Sequence, residues 1–496
     1  MNVTTPARPA QSARLTGAPV WSVSEVTGTA ETTWLGLTLR EKAGLVLAPL
    51  ALVLLLVFPV HAQPQASKAL AVAAFMIVLF ATEAVDHAIA GFFGLFLFWA
   101  LKVVPFEEAF SGFAAETPWF LMGAMLIGAM ADRSGLARRL AYSVTARVGG
   151  SYSRLLLGFI LVDFFLTFLV PSGIARVTIL GSIAVGTVAS LGLHPKGNVG
   201  RGLLIIITYA ATIFDKMVIA GAASILARGI IEEAAGRKVL YSHWFLAYLP
   251  CDIITIIVCW RLILWLYPAE KSLEGSQEHL KAKLKSLGPW TTAEKKTLFF
   301  LLTAVTLWMT DFIHHLSPAL IGMAIGLLAL VPVVGVLDGS DLRKLNWGAL
   351  WFTAAALGMG RVLQSTGALS MLTDILAQVI GPALYDPLSS AVVLYWTAFV
   401  YHFFLANETA MLSTSLPVIL DLAKTHGVDV VVTGMIWTFA AGGKIFVYQG
   451  AVLVVGYSFG HFEAKDMLKV GLALTIVESL ILMALVPLYW PLIGLS

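Results

Sequence analysis

The segment Pro171-Ser172-Gly173-Ile174-Ala175-Arg176 stands in the middle of an apolar run, 153–190, that is too long for one membrane crossing. A second run, 388–420, is interrupted in the same way by Asn407-Glu408-Thr409-Ala410-Met411. Such a break ends one helical arm and starts the next, leaving free backbone N–H groups at a helix start beside the Ser172 hydroxyl or the Asn407 amide and Thr409 hydroxyl. Each run therefore reads as a helical hairpin that enters the bilayer and returns. Backbone that leaves the helix at that depth survives only where protein or a water-filled cavity satisfies it. Two such tips predict an all-α polytopic membrane protein whose site lies at its breaks.

Composition leads to the same class. Of 496 residues, 58% are hydrophobic and 12% charged, with a mean hydropathy of +0.86. Soluble domains carry about 25% charged residues, so the surface this chain cannot solvate must face the lipid bilayer. About eleven further runs reach spanning length, near 43–61, 68–84, 88–104, 118–133, 200–231, 245–267, 297–313, 318–336, 346–363, 431–459 and 467–494. Residues 1–38 are rich in Thr, Ser, Ala, Gly and Pro and read as a disordered cytoplasmic tail, with no signal-peptide core. The net charge of +3 is spread without a basic stripe, which excludes nucleic acid as a partner. Cys251 and Cys259 share one apolar run and suit neither a disulfide framework nor a thiolate metal site. No metal and no cofactor are expected.

The basic residues set an orientation. With the N-terminus cytoplasmic, Arg133, Arg138, Arg139, Lys196, Arg201 and the polar stretch from Glu270 to Lys296 fall inside, and Glu107, Glu108 and Glu116 fall outside. Arg228, Arg237 and Lys238 run against this rule. The C-terminus is then outside, in a multi-pass protein of the bacterial cell (inner) membrane. The polar stretch divides the chain into a first repeat, 40–267, a linker, 268–296, and a second repeat, 297–496.

The two halves superpose by their unusual residues. Trp119-Phe120 precedes Ser134-Gly135-Leu136 at the spacing with which Trp351-Phe352 precedes Thr366-Gly367-Ala368. Thr82-Glu83 with Asp86-His87 matches Thr310-Asp311 with His314-His315, the hairpin breaks match each other, and Asp215-Lys216 matches Gly443-Lys444. An odd number of crossings separates equivalent elements, so the repeats have inverted topology, with a broken helix in each; that is the sequence pattern of a secondary transporter with a midplane site.

Arg176, Lys216 and Lys444 lie deep in apolar sequence, where an unpaired cation costs at least ~2.5 kcal/mol. Two readings stand for these cations. They face a small anionic substrate, or they are structural ion pairs with Asp215, Glu408 or Asp163; Arg176 could also snorkel to the surface. The helix starts at the tips suit an anion. The candidate substrate-binding residues are thus Ser172, Gly173, Arg176, Asn407, Thr409, Lys216 and Lys444, with Glu408 and Asp215 as candidate coupling residues. Glu83 and Asp311 lie near span ends and read as solvated or capping acids. His402 reads as a buried, hydrogen-bonded histidine. His87, His314 and His315 lack the spacing of a zinc peptidase.

The two hairpins, the two broken spans and Thr82-Glu83-Ala84-Val85, over roughly residues 40–490, resemble the divalent-anion/sodium symporter family of dicarboxylate, citrate and sulfate carriers. The resemblance implies a homodimer. It also implies a Ser-Asn-Thr triplet at each tip for sodium and substrate, with each facing broken span adding backbone carbonyls. Here the first tip keeps only Ser172 of that triplet, and the second reads Asn407-Glu408-Thr409. The turns of the broken spans read Gly221-Ala222-Ala223-Ser224 and Gln449-Gly450-Ala451. Loss of asparagine and threonine removes oxygen ligands that a hard cation needs, while Lys216 and Lys444 add fixed positive charge. The expectation is alternating-access transport of di- or tricarboxylates, with three couplings open: a sodium ion, a proton on Glu408, or sodium-independent transport with lysine in place of the sodium ion. A sulfate or other oxyanion permease is the neighbouring alternative. An intramembrane enzyme is the alternative of another class, and it would need a catalytic Ser-His pair, facing aspartates or a metal cluster at workable spacing.

Overall fold

The computed structural model describes residues 37–60, 63–148, 150–170, 172–219, 221–271, 273, 275–405, 407–442 and 445–495. The tail expected over 1–38 falls outside them up to residue 36. Residues Leu39–Ser496 form one unit, and every regular element described in it is a helix: α1 Leu39–Val57, α2 Pro64–Thr82, α3 His87–Ala100, α4 Glu116–Ser134, α5 Leu136–Val148, α6 Tyr152–Leu169, α7 Gly173–Ser190, α8 Asn198–Met217, α9 Ala222–Ala235, α10 Tyr241–Leu266, α11 Ser276–Ser286, α12 Thr292–Met309, α13 Pro318–Leu330, α14 Trp347–Ser365, α15 Ala368–Ile380, α16 Pro387–Phe404, α17 Glu408–Thr425, α18 Val430–Ala441, α19 Ala451–Ser458 and α20 Ala464–Leu488.

The order α2 to α10 recurs as α12 to α20. The sharpest local match is a corner. Gly135 (φ +78°) and Gly367 (φ +73°) both adopt the left-handed conformation that glycine takes without a Cβ penalty. There the chain bends by 66° between α4 and α5, and by 84° at the equivalent junction after α14. Arg138 and Arg139, assigned in the sequence only to the cytoplasmic side, lie on the helix α5. Arg139 is buried and points its Nε at Glu294 (2.6 Å) and its terminal nitrogens at the carbonyls of Leu287, Gly288 and Pro289 (2.9–3.2 Å). It thereby satisfies backbone acceptors just past the end of α11.

One repeat match shifts register. Asp86 caps α3 by accepting from the Ala88 N–H (2.9 Å), and Ser317 caps α13 in the same way from Ala319 (3.2 Å). Ser317, rather than His314, is thus the counterpart of Asp86, because an extra turn at Asp311–His314 precedes it. Among the described residues seven helices are long and apolar enough to cross a membrane, or nine if each bent pair is one span. Three runs read as spans contain shorter apolar helices, His87–Ala100, Pro318–Leu330 and Val430–Ala441.

Small residues let helices approach closely where no aqueous hydrophobic force drives them together. A methyl group at Gly123 of α4 would strike the backbone of Gly322 in α13, and one at Gly91 of α3 would come within 2.7 Å of the Ala355 Cβ in α14. Polar links join the rims: Arg133 to Asp338 (2.7 Å) and to Asp341, Lys238 to Glu116 (3.2 Å), and Arg361 to Glu233 (2.5 Å).

Candidate functional site

The first tip joins α6 to α7. Ser172 is the N-cap of α7, its hydroxyl accepting from the Ala175 N–H at 3.3 Å. One turn on, Arg176 is wholly buried, so it does not snorkel to the surface. Its guanidinium reaches Asp163 on α6 (Nε to Oδ1, 3.3 Å), Asp215 on α8 (Nη2 to Oδ1, 2.6 Å) and the Ala211 carbonyl (2.7 Å). The Gly173 N–H donates to the Asp215 carboxylate, and a methyl group at Gly173 would lie 2.5 Å from Asp215 Oδ2. Ser172, Gly173, Arg176 and Asp215 therefore form one cluster.

The helix α8 ends at Met217, and α9 begins again at Ala222. The carbonyls freed there are met by side chains: Ser224 Oγ donates to the Asp215 carbonyl (3.0 Å) and Trp244 Nε1 to the Lys216 carbonyl (2.8 Å). Lys216 turns away from Asp215. Its ammonium donates to the Phe439 carbonyl near the end of α18 (2.8 Å), lies 4.4 Å from the centre of the Phe439 ring and 3.5 Å from Glu478 of α20. Both partners belong to the second half of the chain, and Tyr395 of α16 adds its hydroxyl to Glu478 (3.4 Å).

The second tip repeats the first in its capping. Asn407 accepts from the Ala410 N–H at 3.0 Å, three residues on, as Ser172 does. Glu408 and Thr409 follow in the first turn of α17, both partly buried. The second break runs from Gly442 to Gly450 around a turn at Val447–Gln449, and Lys444 and Gly443 within it lie outside the described residues. The Gln449 side-chain oxygen accepts from the N–H groups of Ile445 (2.8 Å) and Phe446 (2.9 Å). His402 Nε2 donates to the Gln449 carbonyl (3.2 Å), as expected of a buried histidine. The buried Gln449 Nε2 meets no acceptor among the described residues.

The four breaks interlock across the repeats. The helix α7 packs on α19, and α17 packs on α9, so each hairpin's second arm lies against the far half of the other repeat's broken span. At the first crossing a methyl group at Gly173 would lie 2.8 Å from Val452. Sequence reasoning gave the cations and the carboxylates but missed Glu478, although a lone acid in the apolar run 467–494 was a usable signal. Asp311, read as a solvated or capping acid, is buried and not solvated, and it caps: it accepts from the Tyr241 N–H (2.5 Å) and the Ser242 hydroxyl (2.6 Å) at the start of α10.

A helical chain of two inverted repeats, each with a hairpin tip and a broken span, is by class a multi-pass membrane transporter and not an enzyme. Residues 39–496 match the family described as the sodium:sulfate symporter transmembrane region, and the chain belongs to that family. It is 24% identical to the sodium-dependent dicarboxylate transporter SdcS of Staphylococcus saprophyticus, over 90% of this chain and 91% of that one. It is also 24% identical to the citrate/succinate antiporter of Escherichia coli, over 78% of this chain and 80% of the other. In fold it is similar to the YdaH transporter of Alcanivorax borkumensis, with a TM-score of 0.53 at 14% identity, covering 77% of this chain and 88% of that one.

Proposed function

We propose that this secondary transporter of small anions carries di- or tricarboxylates by alternating access and does so without sodium. The observation that carries the reading is the pair of capped helix starts at Ser172 and Asn407, set in hairpins that cross-pack on the broken spans. Helix amino ends present N–H donors and positive dipole, and two of them suit an anion with charge at both ends. The leftover Gln449 Nε2 donor supports the same sign of ligand. In this reading Ser172, Gly173, Asn407 and Thr409 contact substrate, and Lys444 with Glu408 completes the second half-site.

Sodium independence follows from what fills the first tip. A sodium ion seeking oxygen ligands beside Asp215 would compete with a guanidinium already held at 2.6 Å. Arg176 and Lys216 then act as resident cations in place of a transported one. The relatives' printed names include both a sodium-dependent carrier and an antiporter, so the family accommodates either coupling. We further assign the repeats to 40–267 and 297–496, the N-terminus to the cytoplasm, the C-terminus to the outside of the cell (inner) membrane, and the assembly to a homodimer, as the family resemblance implies.

The test is uptake of labelled succinate, citrate and sulfate by proteoliposomes holding the purified protein, with sodium or potassium as the only alkali cation. Carboxylate uptake of equal rate in both salts is expected. Strict dependence on sodium would reject the resident-cation reading, and uptake of sulfate alone would replace the substrate class.

A further inference from the structure

Arg176 is one cation shared by two carboxylates. Asp163 comes from α6, on one side of the guanidinium, and Asp215 from α8, on the other. The two acids are not equivalent. Asp215 receives the 2.6 Å contact from Arg176 and the Gly173 N–H, and 26% of its side chain remains accessible beside the tip. Asp163 is fully buried, its only ion-pair contact is the 3.3 Å approach of Nε, and neither of its oxygens has a hydrogen-bond partner among the described residues. The charged groups that act on Asp163 are Arg176 from α7 and Asp215 from α8; α4, α5, α10 and α12, which also pack on α6, bring no third among the described residues.

With both acids ionised the cluster would hold a net negative charge around a fully buried guanidinium and a fully buried Asp163, where an uncompensated charge is strongly disfavoured. A carboxylate oxygen with no donor is the place where that excess is relieved. We propose that Asp163 is a proton-binding site, carrying a proton on a carboxyl oxygen when the first tip is closed and losing it when the tip opens to water. The step is a simple protonation, carboxylate plus a proton from water giving carboxylic acid, with Arg176 and Asp215 left as a neutral pair. The second repeat lacks the set, having Met411 in place of Arg176 and Ala398 in place of Asp163, so the proton belongs to one half of the carrier only. This rests on the proposed sodium-independent carrier and names its coupling ion.

Infrared spectroscopy of the full-length protein in lipid at neutral pH tests the site without any substrate. A protonated-carboxyl carbonyl band is expected in the wild type and is expected to vanish in Asp163→Asn. It should vanish equally in Asp215→Asn, where Asp163 becomes the only counter-ion of Arg176 and ionises. A wild-type band unchanged in both variants, or in whichever of them inserts, overturns the proposal, as does the absence of any such band in the wild type. In proteoliposomes an inward acid gradient should drive carboxylate accumulation in the wild type, and the response should be lost in Asp163→Asn. A full response in that variant also overturns it. Failure of all carboxylate uptake beside a normal infrared result would reject the substrate reading alone.

Discussion

Lys216→Met should destabilise the folded protein severely, and the structure sets the size. The ammonium lies 3.5 Å from Glu478 Oε2, with both side chains almost wholly buried. At an effective dielectric of about 20, two unit charges at that separation attract by ~5 kcal/mol. The distance exceeds a direct charge-assisted hydrogen bond, which places the net cost near the lower end of the ~3–5 kcal/mol expected when one partner of a buried pair is removed. The hydrogen bond to the Phe439 carbonyl disappears with it. Neutralising the acid as well relieves the stranded charge, so Lys216→Met with Glu478→Gln should recover much of the loss. The assay is equilibrium unfolding of the purified protein by dodecyl sulfate titration, run as a double-mutant cycle. A coupling energy of at least ~2 kcal/mol is expected. A single variant that costs less than ~1 kcal/mol, or two losses that simply add, would refute the claim that the pair is a closed interior contact.

Gly135→Ala and Gly367→Ala should each cost ~1–2 kcal/mol, since each forces a Cβ into the left-handed corner, and the thermal midpoint reports it. Asn407→Ala removes a helix cap worth ~0.5–2 kcal/mol, and faster amide exchange at Ala410 would be its local signature. Ser172→Ala should insert normally in the membrane yet lose carboxylate uptake, and retention of full uptake would remove Ser172 from the substrate site. Outside the membrane, hydrogen bonds from Ser340 and then the Arg133 guanidinium hold the Asp338 carboxyl down to about 2. The stability difference between wild type and Asp338→Asn should therefore be constant above about pH 4 and shrink as pH falls toward 2, in thermal unfolding across pH.

The breaks were legible because they are chemical events in a monotonous background: a proline, a glycine or a capping side chain among aliphatic residues is visible without a structure. The corners at Gly135 and Gly367 could be paired for the same reason, although spacing alone did not reveal the helix α5 beyond the first corner. Partner choice was legible only in part. Arg176 found two of the acids named for it, yet Lys216 passed over its neighbour Asp215 for Glu478. A helix turns adjacent residues about 100° apart, so Asp215 and Lys216 cannot face the same partner. No local periodicity carries the position of a helix that arrives hundreds of residues later. The register slip at Asp86 has a local cause, since a single additional turn before Ser317 displaces the cap while leaving the apolar pattern intact.

The ion pair of Lys216 also bears on how the chain is made. Lys216 is synthesised before the linker, while its carbonyl partner on Phe439 and its carboxylate on Glu478 both come after it. A ribosome that has delivered residues up to the linker has thus made Lys216 before the carboxylate of Glu478 exists. The last helix supplies that charge, so arrival of α20 is the event that closes the interior. A nascent chain stopped short of it lacks the carboxylate that Lys216 meets in the finished protein.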